Sequence, residues 1–110
     1  MLEKRKLLLR IEPGDEVYLK NTFERIFSKK INLLFNKNMR CFEGQRVRIT
    51  AVIVTHLEEG HLYSFVAKRI NGSKECERFP LICIDRSQPL IRNNRKVQLK
   101  NKELYINLGS

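Results

Sequence analysis

The chain has 110 residues, with 22 Lys and Arg against 12 Asp and Glu, for a formal net charge of +10. Its hydrophobic fraction is 42%, with six Phe, three Tyr and no Trp. This length fits one domain, the apolar content is too high for a disordered basic tail, no run reaches the ~18 apolar residues of a membrane span, and three Cys cannot build a disulfide scaffold.

The charge is uneven. Residues 1–40 carry ten basic and five acidic side chains, residues 41–90 seven and six, and residues 91–110 five and one. The excess therefore sits at the two ends, and it forms one patch only if the fold brings those ends together. Glu3, Lys4, Arg5 and Lys6 have the charge of a signal-peptide start, but Arg10 interrupts Leu7-Leu8-Leu9 before an apolar segment forms. The expected setting is intracellular and cytoplasmic, with reduced Cys and no membrane span. Residues 1–108 read as a single β-rich domain, and Gly109-Ser110 as a cloning scar.

In chain order, the apolar run from Lys6 to Ile11 and the segment Glu16 to Lys20 flank Pro13-Gly14. Proline presets φ and glycine supplies positive φ, which predicts a turn and a hairpin around it. Phe23, Ile26, Phe27, Ile31, Leu34 and Phe35 fall on one helical face. Asn21 can cap that helix and Glu24 sits three residues on, which predicts an amphipathic helix over residues 21–36. The competing expectation is a strand over Ile31-Leu33-Phe35.

Arg46 to Thr55 is rich in branched residues and predicts a strand, with Val47, Ile49, Ala51 and Ile53 on one face. Arg46, Arg48, Thr50, Val52 and Val54 fall on the other. His56 to Gly60 reads as a loop and His61 to Ile70 as the return strand. In that strand Tyr63, Phe65 and Ala67 share a side. Asn71-Gly72 predicts a tight hairpin into Ser73–Phe79. Leu81 to Ile84 reads as a short buried strand and Asp85 to Asn94 as an irregular loop. Val97-Gln98-Leu99 and Leu104 to Leu108 read as a terminal hairpin. The sum is an α+β, predominantly β fold: a small barrel or strongly coiled antiparallel sheet of about six to eight short strands with one helix.

Four kinds of site are candidates. Lys4, Arg5, Lys6, Arg10, Arg92, Arg95, Lys96 and Lys100 can neutralise phosphates, with Asn93, Asn94 and Asn101 as neutral donors. The tract Arg92 to Lys96 has no acid beside it in sequence, which points to an anion-facing segment. The plainer reading is a solvated basic surface. Tyr18, Tyr63, Phe65 and Tyr105 are candidates for base stacking, against a core role that is the commoner fate of Phe.

For metal, His56, His61 and Glu58 or Glu59 flank one loop, but no C-x-x-C pair exists, and Cys83 between Ile82 and Ile84 reads as a buried hydrophobe. For catalysis, Glu12, Asp15 and Glu16 cluster at a turn with Lys20 beyond, a pattern that turns produce without chemistry. The expectation is therefore a non-enzymatic module without cofactor or metal that binds nucleic acid, either DNA or RNA. The alternative is a protein-interaction module whose partner is an acidic protein. Oligomeric state is not readable from these residues.

Overall fold

The computed structural model describes residues 7–23, 37–70 and 74–106. Among them the chain is mostly strand: β1 (Leu7–Arg10), β2 (Glu16–Tyr18), β3 (Arg46–Leu57), β4 (Gly60–Arg69), β5 (Cys76–Pro80), β6 (Leu90–Arg92), β7 (Arg95–Val97) and β8 (Lys102–Tyr105). One helical turn, α1 (Lys37–Arg40), and a 3-10 turn at Leu81–Cys83 are the other named elements. The expected helix over 21–36 lies, beyond Phe23, outside the described residues, as does the Asn71-Gly72 turn.

Six strands form an antiparallel sheet in the order β5-β4-β3-β2-β6-β7, and β1 pairs with β8 in a separate two-stranded parallel sheet. The expected barrel does not close among the described residues, because β5 and β7 remain as open edges. Each edge carries features that discourage further pairing: Pro80 ends β5, and Arg95 and Lys96 occupy β7.

Two expected hairpins are replaced by other pairings. The Pro13-Gly14 turn is present, with the Asp15 amide donating to the Glu12 carbonyl at 3.2 Å and Gly14 at φ +94°. It does not join paired strands, because β2 is already bonded to β3 on one side and to β6 on the other. With no edge of β2 free, β1 goes to β8, with Leu7 opposite Lys102 and Arg10 opposite Tyr105. The expected terminal hairpin does not form either, because its two halves take other partners, β7 with β6 and β8 with β1. β7 folds back on β6 through Asn93 and Asn94, at φ 52° and 62°. Two successive left-handed residues match a type I′ turn, and asparagine is among the few side chains that tolerate it. The Leu81–Ile84 segment is a 3-10 turn followed by a single bridge from Ile84 to Leu19, rather than a strand.

The β3–β4 pairing matches expectation but runs further, to Leu57 and Gly60. A bulge shifts the register between Ile49 and Ala51. The extra residue flips the alternation. Val47 and Ile49 are buried, but past the bulge Val52 and Val54 turn to the core in place of Ala51 and Ile53. Residues 51–54 are all apolar, so the sequence carries no mark of the phase change.

Phe79, which sits between Arg78 and Pro80 on β5, is the hub of the core. Its ring centroid lies 5.4 Å from Phe23, 5.3 Å from Phe42 and 5.9 Å from Phe65. All four are fully buried. One side chain thus joins β4, β5 and the segment after α1. Phe79→Ala is expected to cost about 3–5 kcal/mol through the cavity it leaves, read by denaturant unfolding; a loss below about 1 kcal/mol, the range of well-tolerated core swaps, would show that the ring is not the hub.

Candidate functional site

The three acidic residues at the first turn are all held by arginines. Asp15, only 2% exposed, accepts from Arg92 Nε at 2.7 Å and from Arg92 Nη2 at 2.7 Å. It also accepts the Glu12 amide at 2.9 Å. The same Arg92 Nη2 donates to the Arg10 carbonyl oxygen at 2.7 Å. Glu12 pairs with Arg10, and Arg92 Nε lies 3.6 Å from Glu12. Glu16 takes Arg48 at 2.9 Å and also pairs with Arg46. Asp15 directly precedes β2 and is buried against Arg92, whereas Glu16, the first residue of β2, pairs with Arg46 and Arg48. The three carboxylates do not converge on one point.

Arg92 therefore differs from its sequence-based reading. The tract from Arg92 to Lys96 has no acid nearby in sequence, yet Asp15 meets it from 77 positions away. A buried carboxylate losing its cation is strongly penalised, whereas an exposed pair contributes about 0–1 kcal/mol. The Arg92–Asp15 pair is the structural one, and those of Arg10 and Arg46 are minor.

The remaining expected residues divide cleanly. Lys4, Arg5 and Lys6 lie outside the described residues. Arg10 is half-exposed and paired with Glu12. Arg95, Lys96 and Lys100 are exposed, and none has an ion-pair partner among the described residues. Arg10 is brought beside the C-terminal segment, since β1 lies against β8 and Arg92 bonds the backbone of Arg10.

A second group of cations was hidden in the nearly neutral middle of the chain. Following the register across all six strands gives one row: Cys76, Lys68, Arg48, Glu16, Ile91, Lys96. Side chains in one row share a face, here the outer one, because their neighbours Val17, Val47, Ala67 and Leu90 are buried on the other. Lys68 and Arg48 are direct cross-strand neighbours, a like-charge pairing that disfavours the fold by roughly 0.2–1 kcal/mol. Around them is a surface cavity of about 350 Å³ lined by Arg48, Thr50, Lys68, Arg69, Ile70, Lys74 and Cys76. Among the described residues no carboxylate lines it. Lys68 and Lys74 have no ion-pair partner among the described residues. The Arg69 guanidinium sits 5.4 Å from the Phe42 ring centroid, and its buried Nε has no hydrogen-bond partner.

The aromatic and metal candidates resolve differently. Phe65 is fully buried and Tyr63 packs against the core, so neither is an exposed stacking platform. His56 and His61 face each other across β3 and β4 with their Nδ1 atoms 3.0 Å apart. Among the described residues no three metal-binding side chains gather. Burial pushes the Cys83 thiol up to about 12, which keeps it protonated as a core hydrophobe. Among the described residues no helix is long and apolar enough to cross a membrane.

No protein-family model matches the chain, and neither a curated protein nor a solved structure matches it.

Burial pushes the Glu16 carboxyl up, but the hydrogen bonds from Arg48 and Arg46 outweigh it and hold the group below its ordinary value of 4.5. A depressed carboxyl contributes stability that is full above its unfolded value and is lost as pH falls through the folded one. Unfolding midpoints are expected to fall on acidification below 4.5, and Glu16→Gln to flatten part of that fall. An identical acid profile in the variant would refute the assignment. Arg92→Ala is expected to cost about 3 kcal/mol because it strands Asp15 in the interior, measured by denaturant unfolding at neutral pH.

Proposed function

We propose that the chain is a non-enzymatic β module that binds nucleic acid by neutralising backbone phosphates with its basic terminal segments. The observation that carries this reading is the parallel pairing of β1 with β8. It sets Leu7–Arg10, which follow Lys4, Arg5 and Lys6 in the chain, beside Lys102–Tyr105, which follow Lys100, and phosphate neutralisation depends on cations gathered along one surface. Arg95, Lys96 and Lys100 supply the contacts from the C-terminal side. Arg10 contributes from β1, and Lys4, Arg5 and Lys6 precede Leu7 in the chain. Arg92 acts indirectly, as the clip that holds this edge to the Glu12–Asp15 turn. Contacts of this kind bind without reading bases, so both duplex and single strands are substrates.

A second reading is favoured by one observation. Leu7 and Leu8 on β1 are 61% and 66% exposed. An exposed apolar strand supports docking of a protein segment by strand addition, with an acidic partner suited to the surrounding charge. Pull-down after nuclease treatment separates the two: partners lost on treatment support nucleic acid, and partners retained support protein.

The salt dependence of oligonucleotide binding tests the leading reading. Contact with about six phosphates of duplex DNA gives a slope of log K against log salt near −5. Replacing Arg95, Lys96 and Lys100 together by Gln is expected to reduce the magnitude of that slope by about 3 and leave unfolding unchanged. No binding at low salt to either duplex or single strand would overturn the reading, as would a triple variant with the parent's slope.

A further inference from the structure

We propose that the cavity on the outer face of the six-stranded sheet, at the β3–β4–β5 end, is a binding pocket for a phosphate monoester, separate from the terminal segments. Along the register row Lys68, in the middle of its lining, lies four strand spacings from Lys96, about 19 Å at the usual spacing of strands. The pocket therefore stands whether or not the terminal segments bind nucleic acid.

The chemistry follows from its lining. Arg48, Lys68 and Lys74 bring three cations to a cavity of about 350 Å³ with no carboxylate among the described residues of its lining, while the Arg69 guanidinium lies over the buried Phe42 ring on the other side of the sheet. A dianion answers that charge better than a monoanion, and a phosphate monoester is near −2 at neutral pH. Thr50 adds a hydroxyl to the lining. It occupies the bulge and donates to the Val66 carbonyl at 3.2 Å, which leaves the lone pairs of its oxygen and not its proton for other partners. The direct contacts to phosphate thus fall to the cations. Arginine matches phosphate oxygens with a planar fork, and lysine acts as a point charge.

One feature is hard to explain by folding alone. Arg48 and Lys68 are set directly opposite each other, where their repulsion works against the sheet. A bound phosphate relieves that repulsion. Glu16 modulates the site from its rim. It holds Arg48 and Arg46 in the empty protein and so competes with the ligand for Arg48.

The monoester has two sources, a small phosphorylated molecule or the 5′-phosphorylated end of a nucleic acid strand. Inorganic phosphate is the first probe, titrated into the full chain and followed by protection of Cys76, which lines the pocket, from iodoacetamide. Cys41 is also exposed and lies outside the lining, so it serves as the internal control. Saturable slowing of Cys76 alkylation with Cys41 unaffected is the expected result. Lys68→Gln is expected to weaken phosphate binding about tenfold while melting no lower than the parent, since it removes a repulsion. Glu16→Gln is expected to strengthen binding.

The Arg95, Lys96 and Lys100 triple Gln variant should bind phosphate as the parent does, even if it has lost oligonucleotide binding. A 5′-phosphorylated oligonucleotide compared with its 5′-hydroxyl twin then identifies the source: preference for the phosphorylated strand supports the strand end, and equal affinity with retained phosphate binding supports the small molecule. The proposal is overturned if phosphate does not protect Cys76 saturably, or if Lys68→Gln binds phosphate as the parent does.

Discussion

The contact on which most of the arrangement depends is the pair between Arg92 and Asp15. It joins β6 to the Glu12–Asp15 turn, and through the Arg10 carbonyl it reaches β1. Asp15 in turn uses its backbone carbonyl to accept the Ile49 amide of β3 at 2.8 Å, and its side chain to accept the Glu12 amide. Four parts of the chain thus meet at one ion pair. Its guanidinium is partly in solvent and its carboxylate is not, with side-chain exposures of 27% and 2%. That asymmetry explains why the pair is structural: arginine can still reach water, but Asp15 has no substitute for the cation.

The outer face of the sheet follows a different logic. There a single carboxylate, Glu16, serves two arginines, and the next cation along the row, Lys68, has no acid opposite it. Neutralising this face fully would need further acids in the same row, and the row has none. The inner face invests in packing, centred on Phe79, while the outer face keeps uncompensated charge. Stability drawn from the first offsets the repulsion left on the second.

How much of this could be read from residues alone depends on the range of each interaction. The β3–β4 pair was legible because branched residues run continuously on both sides of a short turn. Pro13-Gly14 was legible as a turn but not as a junction between two sheets, since nothing local says that β2 has both edges occupied. Asn93-Asn94 carries a turn signal in its tolerance of positive φ, but without the glycine of the usual type I′ pair it does not stand out from the loop expected over Asp85 to Asn94. Ala51 to Val54 hid the bulge behind four apolar residues in succession. The Arg92–Asp15 pair spans most of the chain and leaves no trace in either neighbourhood. The basic pocket was masked differently. Residues 41–90 are nearly neutral when summed, and the sum hides that Glu58 and Glu59 sit at the β3–β4 turn while Arg48, Lys68 and Lys74 gather at the opposite end. Counting charge by strand register instead of by window would have found it.

The parallel alignment of β1 with β8 also sets how the domain bears load. Leu7 begins one strand and Tyr105 ends the other, so tension drawn outward through both would slide the strands along each other. The ladder's bonds, together with the Ile11 amide donating to the Tyr105 carbonyl at 2.8 Å, then share the force at once. A hairpin at the same position would open like a zipper, one bond after another. Under tension through both ends the pairing therefore works as a shear clamp, whose failure is governed by the barrier to unfolding rather than by the equilibrium stability.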